Sequence, residues 1–559
     1  MKNTAKLLIS AVCVASLSAG CIKETFPNSS FATADQVADA PGSYDLFVDA
    51  LTSTLVGKFT YGGNSSTRAN DFGLPSFFLY WDLMGNDLVP PGLTQGWFDS
   101  FYCIDHLGPT WANSQYAWTF YYGWIKACND VISLAGEEPA TDKMAGAGLA
   151  YFYRAYFYMD LAQMFANAPA HVDPSAETVP IVTEATSVEM LANNPRATNA
   201  EIYEQILADL DKAEVYLAGY SRSDVYTPDV SCVYGLKARA YLLTGEWAKA
   251  KDYAKKAQAG YTLMSEGIYT DRNTGFNSPN GAWMLGINYK SDDPNIQLND
   301  ADSSWGSWMI MEINPNTSGC GYAANYGRPI TIDRHLYETI PATDFRRKCF
   351  VDFAIDDMSE ADALEALKAY TNYPGWIYTA NVVSSDFHTV GGLNFKFRPA
   401  NGDAGRDNQY IGFTMSVPMM RVEEMYLIEA EAAGRLNESE GIQLLTAFAK
   451  TRDASYVYGT HKDEYYNAST GLFLNEIWWQ RRVEFWGEGL ATKDIKRLQK
   501  GIIRNYAGTN HVEVYRFNME KTPDWMNLCI VQTETNYNFA CTNNPEPIAP
   551  DGDSPEFTW

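Results

Sequence analysis

Glu484 and Glu488 stand four residues apart in IWWQRRVEFWGEGLATKDIKRLQKG (Ile477–Gly501). On a helix that spacing puts both carboxylates on one face, and a pair of carboxylates is the machinery of a retaining glycosidase. The same segment carries Arg481, Arg482, Lys493 and Arg497. Charge pairing that locks helices together is therefore the favoured reading of Arg482, Glu484 and Glu488. Glu423, Glu424, Glu429 and Glu431, close to Arg421, invite the same reading. The six histidines are isolated, with no HExxH, and no serine lies in GxSxG. Metal-hydrolase and serine-hydrolase chemistry are left without support.

A second chemistry is open to the tryptophans. Sugars present hydroxyl edges and apolar C–H faces, so a sugar site needs a flat aromatic ring plus Asp, Asn or Arg for the hydroxyls. Trp81 and Trp97 flank Asn86 and Asp87, and Trp283, Trp305 and Trp308 lie in a stretch rich in Gly, Asn and Asp. These seven residues are the expected glycan-binding set. Trp478, Trp479 and Trp486 sit in a helical segment and read as core. In SDDPNIQLNDADS (Ser291–Ser303) loop Asp and Asn groups offer ligands to a structural cation such as calcium, but the spacing is not that of an EF-hand. No cofactor is expected.

These residues must be positioned by helices. Spacings of three and four predict helices over Tyr44–Leu55, Ser114–Ala135, Lys143–Phe165 and Asn199–Leu217. SCVYGLKARAYLLTGEWAKAKDYAKKA (Ser231–Ala257) reads as two helices around a turn at Thr244–Gly245. Gly235, Ala238, Ala250 and Ala254 let those helices approach closely, as in a tetratricopeptide repeat. Val417–Arg452 has the same shape. Thr60–Asn113 reads as loop-rich, with turn signals in YGGNSS, MGNDLVPPG and LGPTWANS. Tyr261–Met415, broken by prolines including Pro279, Pro294, Pro315, Pro329 and Pro341, reads as an irregular subdomain packed on the helices, where binding groups tend to sit.

Composition narrows the classes. The chain has 559 residues, 46% of them hydrophobic and 20% charged, which suits a globular protein with a sizeable core. A net charge of −26 repels phosphate backbones, so nucleic acid is not expected as a partner. Lys2 and Lys6 followed by an apolar Leu7–Leu17 form an export signal, too short to span a membrane. The run Ser18-Ala19-Gly20-Cys21 resembles a lipobox, with Cys21 as the lipid-bearing residue. The aliphatic Leu17 lies four places before that cysteine instead of three, and cleavage after Ala19 or Gly20 is the competing reading. The other cysteines are scattered with no CxxC, which indicates neither a disulfide scaffold nor a zinc site. Cys529 and Cys541 are near enough in sequence to pair.

Three segments resemble the SusD/RagB family of nutrient-binding outer-membrane lipoproteins. RAYFYMDLAQMFANAP (Arg154–Pro169) is similar to its first signature and VPMMRVEEMYLIEAEA (Val417–Ala432) to its second. Ile477–Gly501 is similar to its third, through Arg482, Glu484, Glu488, Gly489, Asp494 and Arg497. LYETIPATDFRRKCF (Leu336–Phe350) adds a weaker match through Tyr337, Asp344, Arg346 and Arg347. The third segment departs from the pattern at Gln480, Leu490 and Ala491.

The resemblance implies a mainly α fold, a tetratricopeptide-like scaffold with a large irregular subdomain. On that reading residues 1–20 are the signal and 21–559 a single SusD-like domain. Its scaffold covers about 31–260 and 416–500, its irregular subdomain 261–415 and its tail 501–559. The resemblance also implies a cell-surface lipoprotein that binds glycan and passes it to a SusC-like TonB-dependent transporter, with no catalysis. An oligopeptide-binding member of the family and a helical glycoside hydrolase are the alternatives. The binding face is expected where 60–110 and 261–415 meet.

Overall fold

The structure is a computed structural model. It describes residues 42–559 apart from 58–59, 62–63, 66–69, 94–95, 298–302, 317–320, 326–328, 381–391, 462–469, 551 and 553. The export signal, Cys21, and the Asn299, Asp300 and Asp302 of the expected cation loop lie outside the described residues. Asp45–Trp559 holds together as one unit.

Its frame is a row of helices, each packed on the next. Helix α1 is Leu74–Met84, α2 Ala112–Ala135, α3 Met144–Phe165 and α4 Asn199–Leu217. They are followed by α5 (Val230–Thr244), α6 (Trp247–Ala257), α7 (Val422–Leu436) and α8 (Glu438–Ala449). Two more, α9 (Gly471–Glu484) and α10 (Ala491–Leu498), close the row. The pairs α2–α3, α3–α4, α5–α6 and α7–α8 pack as hairpin partners, and α6 packs directly on α7. The helical row therefore continues across the long stretch inserted between α6 and α7.

Local signals explain where these helices begin and turn. Thr198 accepts from the Glu201 backbone N–H while the Glu201 carboxylate returns to the Thr198 N–H, a capping box that starts α4. Gly245 takes φ +78° at the end of α5, a left-handed turn that glycine adopts without strain. Ala238, Ala250 and Ala254 are buried between the helices they were expected to bring together. Trp478, Trp479 and Trp486 are core.

Two expectations change. The loop-rich reading of Thr60–Asn113 misses α1, whose eleven residues are all buried. A helix enclosed on every side has no polar stripe, so its periodicity is silent. Val417–Arg421 begins the second signature as a strand, paired antiparallel with Trp283–Ile287. Pro418 removes a helical hydrogen bond there, and the partner strand takes up the backbone.

The two irregular stretches meet. Leu88–Val89 pairs antiparallel with Thr331–Ile332, the Tyr289 hydroxyl donates to the Phe72 carbonyl at 3.0 Å, and Phe98 packs edge-on against Trp308 at 4.9 Å. Beneath them Phe77 sits among Tyr80, Tyr116, Tyr121 and Trp124. Much of the aromatic content is spent in this core. Cys529 and Cys541 are both free thiols. Among the described residues no helix is long and apolar enough to cross a membrane.

Candidate functional site

The carboxylate pair of the third signature sits in a closed charge cluster. Arg421 reaches Glu488 at 2.8 Å, Glu484 at 3.1 Å and Glu423 at 2.9 Å. Arg452 bridges Glu484 at 3.0 Å and Glu423 at 3.1 Å. Arg346 joins Glu484 at 3.2 Å to Asp344 at 2.6 Å, and Lys396 contacts Glu488 at 2.7 Å. All eight groups are buried. Burial by itself would raise the Glu484 carboxyl, but the guanidiniums of Arg452, Arg421 and Arg346 override it and hold the group below the usual carboxylate range. Glu484 is thus an ionised, enclosed acceptor with no proton to donate. Glu484 and Glu488 do not face each other across an open cleft, which is the geometry that glycoside hydrolysis needs.

Close approach of backbone completes this junction. Gly489, at φ +76°, lies against α1, where an added Cβ would come within 2.7 Å of the Phe78 backbone. Asp82 of α1 accepts from the N–H groups of Gly489 and Ala491, each at 2.9 Å. Burial pushes the Asp82 carboxyl up to about 8 against those two bonds.

The expected stacking platforms are mostly inside. Trp81, Trp283, Trp305 and Trp308 are buried, and so are Asn86 and Asp87. Trp81 packs edge-on against Phe101, and Trp305 does the same against Phe397. Trp308 stacks on Tyr322 at 4.1 Å, and Trp283 lies in the strand paired with Val417–Arg421. Asp87 pairs with Arg482 at 2.5 Å, and the Asn86 Oδ1 accepts from the Ile503 N–H at 2.9 Å. The expectation of exposed rings is therefore corrected for these residues. An aromatic side chain gains more from enclosure than from water, and here neighbouring rings cover its faces. Trp97 alone of the set is half-buried, at 5.5 Å from the Tyr116 ring.

An aromatic surface of the expected chemistry lies elsewhere in the irregular stretch. Tyr373 and Trp376 are half-buried and stacked on each other, with centroids 4.2 Å apart and planes at 16°. Pro374 starts the short helix that carries Trp376. The Tyr373 hydroxyl donates to Asp403, whose side chain is 83% exposed. Asn372, Asp407 and Asn316 are also exposed in this neighbourhood.

Buried charges hold the platform from below. The Arg406 guanidinium lies 5.1 Å from the centre of the Tyr373 ring and bonds Glu312 at 3.1 Å. Arg398 reaches the same Glu312 at 2.8 Å. Burial would raise Glu312, but Arg398 and Arg406 hold it down as a carboxylate. The Asn314 N–H donates to the Arg406 carbonyl at 2.9 Å, tying the two loops together. Sequence reasoning passed over Trp376, although TNYPGWIYTAN (Thr371–Asn381) sets Trp beside Gly and Asn as the chosen tryptophans were.

Comparison with known proteins follows the same lines. Residues 93–242 match a SusD-like family described as starch-binding associating with outer membrane, and 294–546 match the SusD family. A SusD-like protein P2 from Formosa agariphila is 24% identical over 402 residues, covering 69% of this chain and 71% of its own. A SusD-like carbohydrate binding protein from Bacteroides vulgatus superposes with TM-score 0.69 at 23% identity, over 89% of this chain and 97% of the other. Surface glycan-binding protein A from Bacteroides thetaiotaomicron, solved with laminarihexaose, gives TM-score 0.61 at 17% identity, over 90% and 99%. With both matches, the helical row and the buried signature charges in agreement, the chain belongs to the SusD family.

Proposed function

We propose that this chain is a cell-surface lipoprotein that binds oligo- or polysaccharide and delivers it to a SusC-like TonB-dependent outer-membrane transporter, with no catalysis of its own. The observation that carries the glycan reading is the stacked, half-open Tyr373–Trp376 pair edged by Asp403 and Asn372. It offers a flat apolar surface for a sugar face with acceptors and donors at its rim. Relatives of the same fold include the laminarihexaose-bound protein, which supports a glycan as the ligand class. Trp97 is retained from the sequence-based set as a second contact, since part of its ring reaches solvent.

A glycan and peptide binding screen on the mature chain tests this reading. Glycan hits weakened by Trp376→Ala support it. Hits confined to peptides favour the oligopeptide alternative. Turnover of a glycan by the purified chain would restore the hydrolase alternative, which lacks support from the enclosed Glu484 and Glu488.

Anchoring through Cys21 at the outer membrane, facing outward, completes the proposal. Cys21→Ala in cells lacking the transporter should move the protein out of the membrane fraction. Unchanged retention would remove the anchor from the proposal and leave glycan binding standing.

A further inference from the structure

A cleft of about 870 Å³ opens on the scaffold, far in sequence from the Tyr373 platform. That volume falls in the range of ligand-binding clefts. One wall is a stripe of α2, with Trp118, Tyr122 and Ile125 at helical spacing. The facing wall is the short helix Val188–Leu191 together with Tyr537 and Phe539 of the C-terminal segment. Val188 is 80% exposed, Tyr537 75% and Phe539 78%. Large apolar side chains this open, gathered on one concavity, mark an interaction site.

Several polar groups of the cleft are already committed to their own chain. Asn129 donates to the Val182 carbonyl at 3.1 Å and accepts from Arg154 at 2.7 Å. The Asn538 side chain accepts from the Asn194 N–H at 3.0 Å and donates to the Asn194 carbonyl at 2.6 Å. The Tyr122 hydroxyl donates to the Pro180 carbonyl at 2.6 Å. A sugar would find few free partners for its hydroxyls here, and the walls mix rings with the aliphatic Ile125, Val182, Val188 and Leu191. An apolar side chain loses nothing by entering.

Charge at the rim narrows the occupant further. Lys126 pairs with Asp130 at 2.6 Å, and the buried Arg154 is shared between Glu184 at 2.5 Å and the buried Asp209 at 2.7 Å. Glu534 lines the cleft and has no ion-pair partner among the described residues. The rim is left acidic, which repels an anionic membrane surface and attracts cations. We propose that this cleft docks a peptide segment of a partner protein, one that carries aromatic or aliphatic anchors next to Lys or Arg. The binding mode is anchors in an apolar groove with a charged edge.

The test is a phage-displayed peptide library panned on the mature protein, followed by affinity measurements with the synthetic consensus peptide. The expected consensus pairs apolar residues with Lys or Arg. Replacing Tyr537→Ser together with Phe539→Ser should weaken the peptide about tenfold or more, as removal of interface anchors does. Val188→Glu, on the same wall, should weaken it as well. Glu534→Gln should weaken it less and reduce its salt dependence. Melting temperatures should stay at the wild-type value, and Trp376→Ala should leave peptide binding unchanged. The proposal is overturned by no enriched peptide family, or by a consensus indifferent to both wall variants. It is equally overturned if the wall variants abolish glycan binding on an array, which makes the cleft a sugar site. A dimer in light scattering that they dissolve also overturns it, because the occupant is then a second copy of this chain.

Discussion

The Glu484 cluster and the Tyr373 platform are built from the same parts, guanidinium, carboxylate and aromatic ring, and they do different things. In the cluster, Arg421 lies 4.7 Å from the Phe276 ring centre and 4.9 Å from that of Phe485, with carboxylates filling its remaining directions. In the platform, Arg406 lies under Tyr373 and Glu312 under Arg406, and the upper side faces water. Closing the last side turns the parts into a joint between the C-terminal helices, α1 and the irregular stretch. Leaving it open turns them into a surface with unfilled ring area. The second and third signatures fall on the joint and the proposed binding on the platform. The comparison teaches that a signature rich in carboxylates can be entirely about assembly.

The comparison breaks most sharply at Glu484. Replacing it with Ala removes the one carboxylate that three buried guanidiniums share, and breaking a buried pair in this way costs about 3–5 kcal/mol. Chemical denaturation of Glu484→Ala should show a loss of that size. A variant within experimental error of wild type would mean that the cluster is not a joint.

The pH dependence of the same residue sharpens the contrast. The folded carboxyl is held below its unfolded value, mainly against burial and by Arg452, Arg421 and Arg346. A depressed acid contributes stability that is present above the unfolded pKa and disappears as pH falls through the folded one. The stability gap between wild type and Glu484→Gln should therefore be full at neutral pH. It should start to close only below about pH 4.5, where an unfolded Glu takes up its proton. A gap that closes between about pH 7 and 5 would contradict the assignment.

At the platform the effect should appear in binding. Trp376→Ala should weaken the best glycan hit by about 1–3 kcal/mol, on the scale known for base–aromatic stacking. Its melting temperature should barely move, because the residue lies partly exposed at the surface. A variant that keeps wild-type affinity, or loses stability instead, would place the sugar elsewhere. The smallest effect is expected at the cleft rim, where Phe539→Ser should change stability by no more than about 0.5 kcal/mol. A larger loss would show that the exposed ring supports the C-terminal segment.

Helices of the hairpins were legible in the sequence where they keep one apolar face and one wet face, as Asn199–Leu217 does. Asn199–Leu217 appears with the predicted bounds, and the turn at Gly245 sits where small residues and Gly announced it. The signature charges were legible as a joint because opposite charges were crowded within one segment. Asp87 was misread for the complementary reason. Its partner Arg482 is far along the chain, and no local pattern reports a contact at that separation.

The sequence by itself determined the class of scaffold, the family and the structural role of Arg482, Glu484 and Glu488. Those depend on periodicity, composition and neighbouring charges, all local quantities. Only the tertiary structure decided which tryptophans face water. Trp305 and Trp376 stand in similar Gly- and Asn-containing stretches, but Phe397 and Phe78 close over the first while the second keeps part of its face open. Exposure is set by what the rest of the chain lays over a ring, and a residue's sequence neighbours do not carry that information.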